Sequence, residues 1–189
     1  MLDGGLEEAL LQLQPLEGFL HPRVLVASTA LNGWSAVFDG DARGQGVRGL
    51  SVHLSRALRV PGYFVAAAPP ASDPEHFPGF RQFYVLGPQT GRDHVRAVWV
   101  GEEEDVGRWH FGTDGEVQPY EDVEAYRRRR RTDRFTERML VDYAAAVGLR
   151  PWEDSFYRPP FHLITSLRLG HDRFQRTLAQ VRTEMKLDE

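Results

Sequence analysis

The residues with chemical potential in this sequence are carboxylates placed at strand ends and one string of guanidiniums. Asp39-Gly-Asp41 follows the apolar run Ser35 to Phe38, and Glu102, Glu103, Glu104 and Asp105 follow the apolar run Val95 to Val100. Carboxylates at strand ends are the hard oxygen donors that hold Mg²⁺ in phosphoryl chemistry, which makes Asp39 and Asp41 the candidate metal ligands. Arg127 to Arg131 form an unbroken basic run. Guanidinium forks grip carboxylates and phosphates bidentately, so Arg127, Arg130 and Arg131 are candidate anion-binding residues. The chain has no Cys, no Gly-x-Ser-x-Gly, no His-Glu-x-x-His and no glycine-rich loop ending in Lys. Thiolate nucleophiles, the nucleophile elbow, zincin-type metal sites and P-loops are therefore without a motif. Among the histidines, only His110 near Asp114 and His171 beside Asp172 suggest an acid–base or metal pair.

The two acidic segments together resemble the nucleophile and metal motifs of haloacid-dehalogenase-type phosphatases. That resemblance implies a small metal-dependent hydrolase using Asp39, Asp41, Glu102 and Asp105. The sequence departs from it at Ala42, where a Thr or Val is expected, and in carrying its only Lys at position 186. The alternating strand–helix units of that family are also missing. No catalytic set is assigned and no cofactor is expected.

The elements that must position these groups follow from periodicity. Leu6, Ala9, Leu10 and Leu13 recur at helical spacing until Pro15. Val24 to Ala30 reads as a strand. Asn32-Gly33, able to take positive φ at both turn positions, predicts a two-residue hairpin into Trp34, Ala36 and Phe38. Leu50, Leu54 and Leu58 predict a helix ended by Pro61-Gly62. Further strands are expected at Tyr63 to Ala68, Phe80 to Leu86, Val95 to Val100, and Arg108 to Phe111, the last turning through Thr113-Asp114-Gly115 into Glu116 to Tyr120. After residue 120 the period becomes helical: Glu121 to Arg131, a helix capped by Thr136 and closed by Gly148, and a last helix capped by Asp172 with Phe174, Leu178, Val181 and Met185 as its stripe. Phe161 to Leu169 predicts one more strand. Short connections favour antiparallel pairing. The expectation is a single α+β domain over 1–189, an antiparallel meander-type sheet of about six strands with helices mainly on one face and a helical C-terminal third.

Charge bounds the function. The 189 residues carry 23 Lys plus Arg against 27 Asp plus Glu, a net charge of −4. Residues 1–120 hold 15 acids and 9 bases, whereas residues 121–189 hold 12 acids and 14 bases, an acidic sheet-rich part followed by a mildly basic helix-rich one. Within 121–142 seven Arg meet six acids, and on a helix Glu124 would pair with Arg128 and Arg129 with Asp133. Arg130 would then fall between Val123 and Tyr126 on the inward face. This compensation argues against nucleic acid, leaving an Arg-rich helix that binds it as the alternative. The first twenty residues lack the positive start of a secretory leader, and no apolar run approaches a membrane span, so a cytoplasmic protein without membrane contact is expected. Trp152, Phe156, Tyr157 and Phe161 crowd a proline-bearing loop suited to anchoring a partner, with Glu102 to Asp105 as a steering surface. The last helix, its stripe one residue wide, is a candidate homodimer surface. The general texture is similar to that of bacterial immunity or antitoxin-type proteins. The expected function is thus non-enzymatic binding of another protein, immunity-like, antitoxin-like or adaptor-like.

Overall fold

The computed structural model describes residues 4–17, 23–41, 47–70, 78–88, 92–103, 108–165 and 175–185. It is a mixed α+β protein whose described strands pair antiparallel. The chain divides into two compact units, Met1–Val47 with Arg150–Glu189, and Arg48–Leu149. The meander is confined to the second unit, and the C-terminal third supplies a long strand to the first.

In the first unit, α1 (Leu6–Leu11) buries Ala9 and ends before Pro15. A two-stranded ladder joins β1 (Leu16–Glu17) to β9 (Gln175–Arg176), and a three-stranded sheet runs β3 (Ser35–Asp39), β2 (Arg23–Thr29), β8 (Tyr157–Thr165). The β2–β3 connection turns at Leu31 to Trp34, where the Trp34 N–H donates to Leu31 O at 3.1 Å. Gly33 takes φ +78° there while Asn32 does not enter the left-handed region. The hairpin loop is therefore longer than the two residues Asn-Gly suggested, closing on a turn that needs positive φ at one position only. Along β8 the register shifts between Ala27, opposite Phe161, and Ser28, opposite Arg158. Pro159 and Pro160, which have no N–H to give the ladder, occupy that bulge. α4 (Leu178–Glu184) starts at a capping box: Gln180 N–H donates to Thr177 Oγ1 at 3.2 Å and Thr177 N–H to Gln180 Oε1 at 2.7 Å. Thr177, not Asp172, is thus its cap; Asp172, Phe174 and His171 lie outside the described residues.

In the second unit, α2 (Val47–Leu58) precedes a meander of β4 (Gly62–Ala68), β5 (Phe80–Leu86), β6 (Arg96–Glu102) and β7 (Trp109–Gly115). Alternation sorts these strands into two faces. One carries Phe64, Tyr84 and Trp99; the α2 residue Arg48 sits 5.3 Å over the Tyr84 ring, and Trp99 stacks on Tyr84 at 6.4 Å. The Trp99 ring lies across Gly112, where any Cβ would collide with it. The other face carries Arg81, Phe83, Val98, Val100, Trp109 and Phe111, and packs against α3 (Glu137–Ala146) through Met139, Leu140, Tyr143 and Ala144. Thr136 caps α3 as expected, accepting from Met139 N–H at 3.3 Å, and Gly148 takes φ +83° beyond its end.

Two expectations fail in this unit. Thr113-Asp114-Gly115 does not turn but continues β7 to its pairing with Arg96, and Glu116 to Tyr120 forms no strand. Residues 121–131 form no α-helix: a 3₁₀ turn spans Ala125–Arg127, Arg128 and Arg130 are extended, and a second 3₁₀ turn spans Arg131–Asp133.

Candidate functional site

Five consecutive arginines oppose a helix, because the pairs three and four apart place like charges side by side at a few tenths of a kcal/mol each. The irregular backbone is tied down by those same side chains. Arg128 Nη1 donates to Asp133 O at 3.0 Å, Arg131 Nη1 to Trp109 O at 2.7 Å, and Arg134 Nε to Arg128 O at 2.7 Å. From the sheet, Arg81 Nε donates to Phe135 O at 2.8 Å and its Nη2 to Thr132 O at 3.3 Å. Guanidiniums thus serve as donors to backbone carbonyls of this irregular segment and, at Trp109 O, to β7. The inward-facing Arg130 expected on a helix is instead exposed, and Glu124 pairs with Arg127 at 3.0 Å rather than with Arg128.

The result is a cavity of about 390 Å³ lined by Arg108, Trp109, Arg130, Arg131 and Thr132. Arg81 braces its indole from behind, 5.4 Å over the Trp109 ring. Burial pulls the Arg81 pKa below the ordinary arginine value, against the attraction of Glu137 and Asp133; arginine nonetheless stays cationic. Arg108 and Arg130 are exposed, and among the described residues neither has an acidic partner. The Thr132 hydroxyl donates to Asp133 Oδ1 at 3.4 Å, which places the Asp133 carboxylate beside the cavity; Glu102 is the strand partner of Trp109, and Glu103 N–H donates to Arg108 O at 2.9 Å. Of the three predicted anion-binding residues, Arg130 and Arg131 meet here. Arg127 does not, being spent on Glu124 at the surface. Arg81 and Arg108 were missed; Arg81 stands in β5 and Arg108 immediately precedes β7, and a cation standing in an aromatic strand is the signal that would have marked Arg81.

A second polar cluster, also unforeseen, lies inside this unit. Arg96 and Glu121, with side chains 3% and 1% exposed, form a two-pronged pair at 2.8 and 2.6 Å. The remaining lone pairs of Glu121 accept from Gln118 N–H at 2.9 Å and from the Tyr126 hydroxyl at 2.7 Å. Tyr126 also meets the Tyr143 hydroxyl at 2.9 Å, which accepts from Asp122 N–H. Burial works to raise the Glu121 pKa, but the hydrogen bonds from Arg96, Gln118 and Tyr126 win and hold it below the usual carboxylate value. Burial and the bonds to Tyr143 and Glu121 push the Tyr126 hydroxyl far up. Each polar group has its partner, so the cluster is a structural pin.

The other candidates fall elsewhere. Asp39 and Asp41 belong to the first unit, where Asp41 N–H donates to Asp39 Oδ1 at 3.2 Å in a local turn. No group of three or more metal-donor side chains occurs among the described residues. Glu102, in the second unit, accepts from Gly79 N–H at 3.3 Å, and Glu103 pairs with His110 at 2.8 Å. Glu104 and Asp105 lie outside the described residues. Asp114 pairs with His94 at 2.9 Å, not with His110. Phe156, Tyr157 and Phe161 are core residues of the first unit, Tyr157 edge-on to Phe38 at 5.2 Å. Trp152 alone of that set is exposed, at 44%. The stripe residues Val181 and Met185 of α4 are buried by the chain itself. No described helix is long and apolar enough to cross a membrane. No family model, curated protein or solved structure matches the chain.

Proposed function

We propose that this protein acts by binding, and that it holds an acidic segment of another protein in the arginine-lined cavity of the second unit, in the manner of an immunity, antitoxin or adaptor protein. The observation that carries the reading is the gathering of Arg108, Arg130 and Arg131 around Trp109. Guanidinium and indole supply forked hydrogen-bond donors and apolar contact, a set suited to recognising an anionic segment. An aromatic beside arginines is also the composition of interface hot spots. With the whole chain at −4, attraction of an acidic partner is local, acting within the roughly 10 Å that salt leaves unscreened at 0.1 M.

The test is capture of a partner from cells that make the protein, followed by its identification and titration against purified variants. The double variant R108E/R130E is expected to keep its melting temperature and to lose at least tenfold in affinity for that partner. Unchanged affinity rejects the reading. Capture that disappears after nuclease treatment also rejects it, in favour of nucleic acid.

A further inference from the structure

We infer that the anion this cavity selects is a phosphate monoester, so that the partner segment is recognised when phosphorylated; the inference rests on the binding reading above. Three observations support it. First, the guanidiniums of Arg108, Arg130 and Arg131 line the cavity, and Asp133 neighbours it; Arg81, over the indole, is itself faced by Glu137 and Asp133, and Glu102 is the strand partner of Trp109. One carboxylate ligand would neutralise one of these charges. A phosphate monoester near neutral pH carries close to two, and presents three equatorial oxygens for forked donors.

Second, two of the arginines are held in place before any ligand arrives. Arg131 is tethered to Trp109 O, and Arg81 to Phe135 O and Thr132 O. Ordering a long side chain on binding costs affinity, and these tethers have removed that cost in advance. Arg108 and Arg130 stay exposed and free to close on an oxygen ligand from the solvent side. Third, the cavity is open to solvent and, at about 390 Å³, lies near the small end of ligand-site volumes, with room for a single phosphorylated side chain.

The probe is phenyl phosphate, with phenylacetate as a carboxylate of similar size, titrated calorimetrically into the whole protein at pH 7.5. Phenyl phosphate is expected to bind at least tenfold more tightly. R108A and R130A, both exposed positions, are each expected to weaken it severalfold with no change in melting temperature, whereas R127A, whose guanidinium is spent on Glu124, is expected to leave it unchanged. Equal affinity for the two probes, no measurable binding of phenyl phosphate, or the same loss in R127A as in R130A overturns the inference. Partner capture that R108E/R130E abolishes while the two probes bind equally overturns only the phosphate selectivity and leaves the binding reading standing.

Discussion

At the scale of single residues, the charge of this protein is divided between groups that are locked and groups that are open. Arg96 and Glu121 are the locked pair, and removing one member leaves the other buried without a partner. R96M is therefore expected to cost about 3–5 kcal/mol of unfolding free energy, measured by urea titration, with the meander and α3 as the destabilised region. Tyr126→Phe, which deletes a hydroxyl shared by Glu121 and Tyr143, is expected to cost about 1–2 kcal/mol. Glu121 also predicts a pH response. Its folded pKa lies below the ordinary carboxylate value, so its contribution is whole above that ordinary value and is lost as pH falls through the lower folded one. Stability of the unmodified protein should drop on acidification below about pH 4.5, and E121Q should flatten that part of the profile while being less stable at pH 7. A slope that E121Q leaves unaltered would move the acid sensitivity to other carboxylates.

At the scale of elements, two positions tie local sequence to packing. Gly112 lets the Trp99 ring cross β7, and G112A is expected to destabilise by about 1–3 kcal/mol because the ring must shift from its stack on Tyr84. Circular dichroism in the aromatic region, where that stack contributes, should change with it. Thr136→Ala removes the α3 cap and is expected to cost about 1 kcal/mol in thermal unfolding. How legible each element was depended on where its determinants sit. β5 was read to the residue, and α3 with its cap and Gly148 was read because capping and the apolar stripe are local signals. The same local reasoning failed at 121–131. There the apolar positions Val123 and Tyr126 suit a helix, yet like charge at helical spacing and carbonyl-seeking guanidiniums produce turns that depend on Asp133, Trp109 and Phe135 in space. The candidate site inherits that history: Arg130 and Arg131 were legible as a run, while Arg81 and Arg108 join them only through strand pairing. Phe156, Tyr157 and Phe161 read as a loop anchor because prolines suggested irregular chain, whereas a bulge absorbs Pro159 and Pro160 and keeps β8 in the sheet.

At the scale of the whole molecule, the two units differ in how the chain builds them. Arg48–Leu149 is continuous and contains its own buried cluster, from Phe83 and Val98 to Leu140 and Tyr143. Expressed alone, residues 48–149 are expected to unfold cooperatively in urea and to retain aromatic-region dichroism; a non-cooperative transition would show that this cluster depends on the rest of the chain. The first unit is discontinuous, its central strand β2 paired on one side with the adjacent β3 and on the other with β8 from beyond residue 150. On the ribosome, where residues emerge in order, the inner segment can therefore complete its structure first. The strand Arg23–Thr29 must meanwhile wait with one edge unsatisfied until β8 has been made, so a product stalled or truncated before Tyr157–Thr165 carries an open β-edge prone to mispairing with other nascent chains.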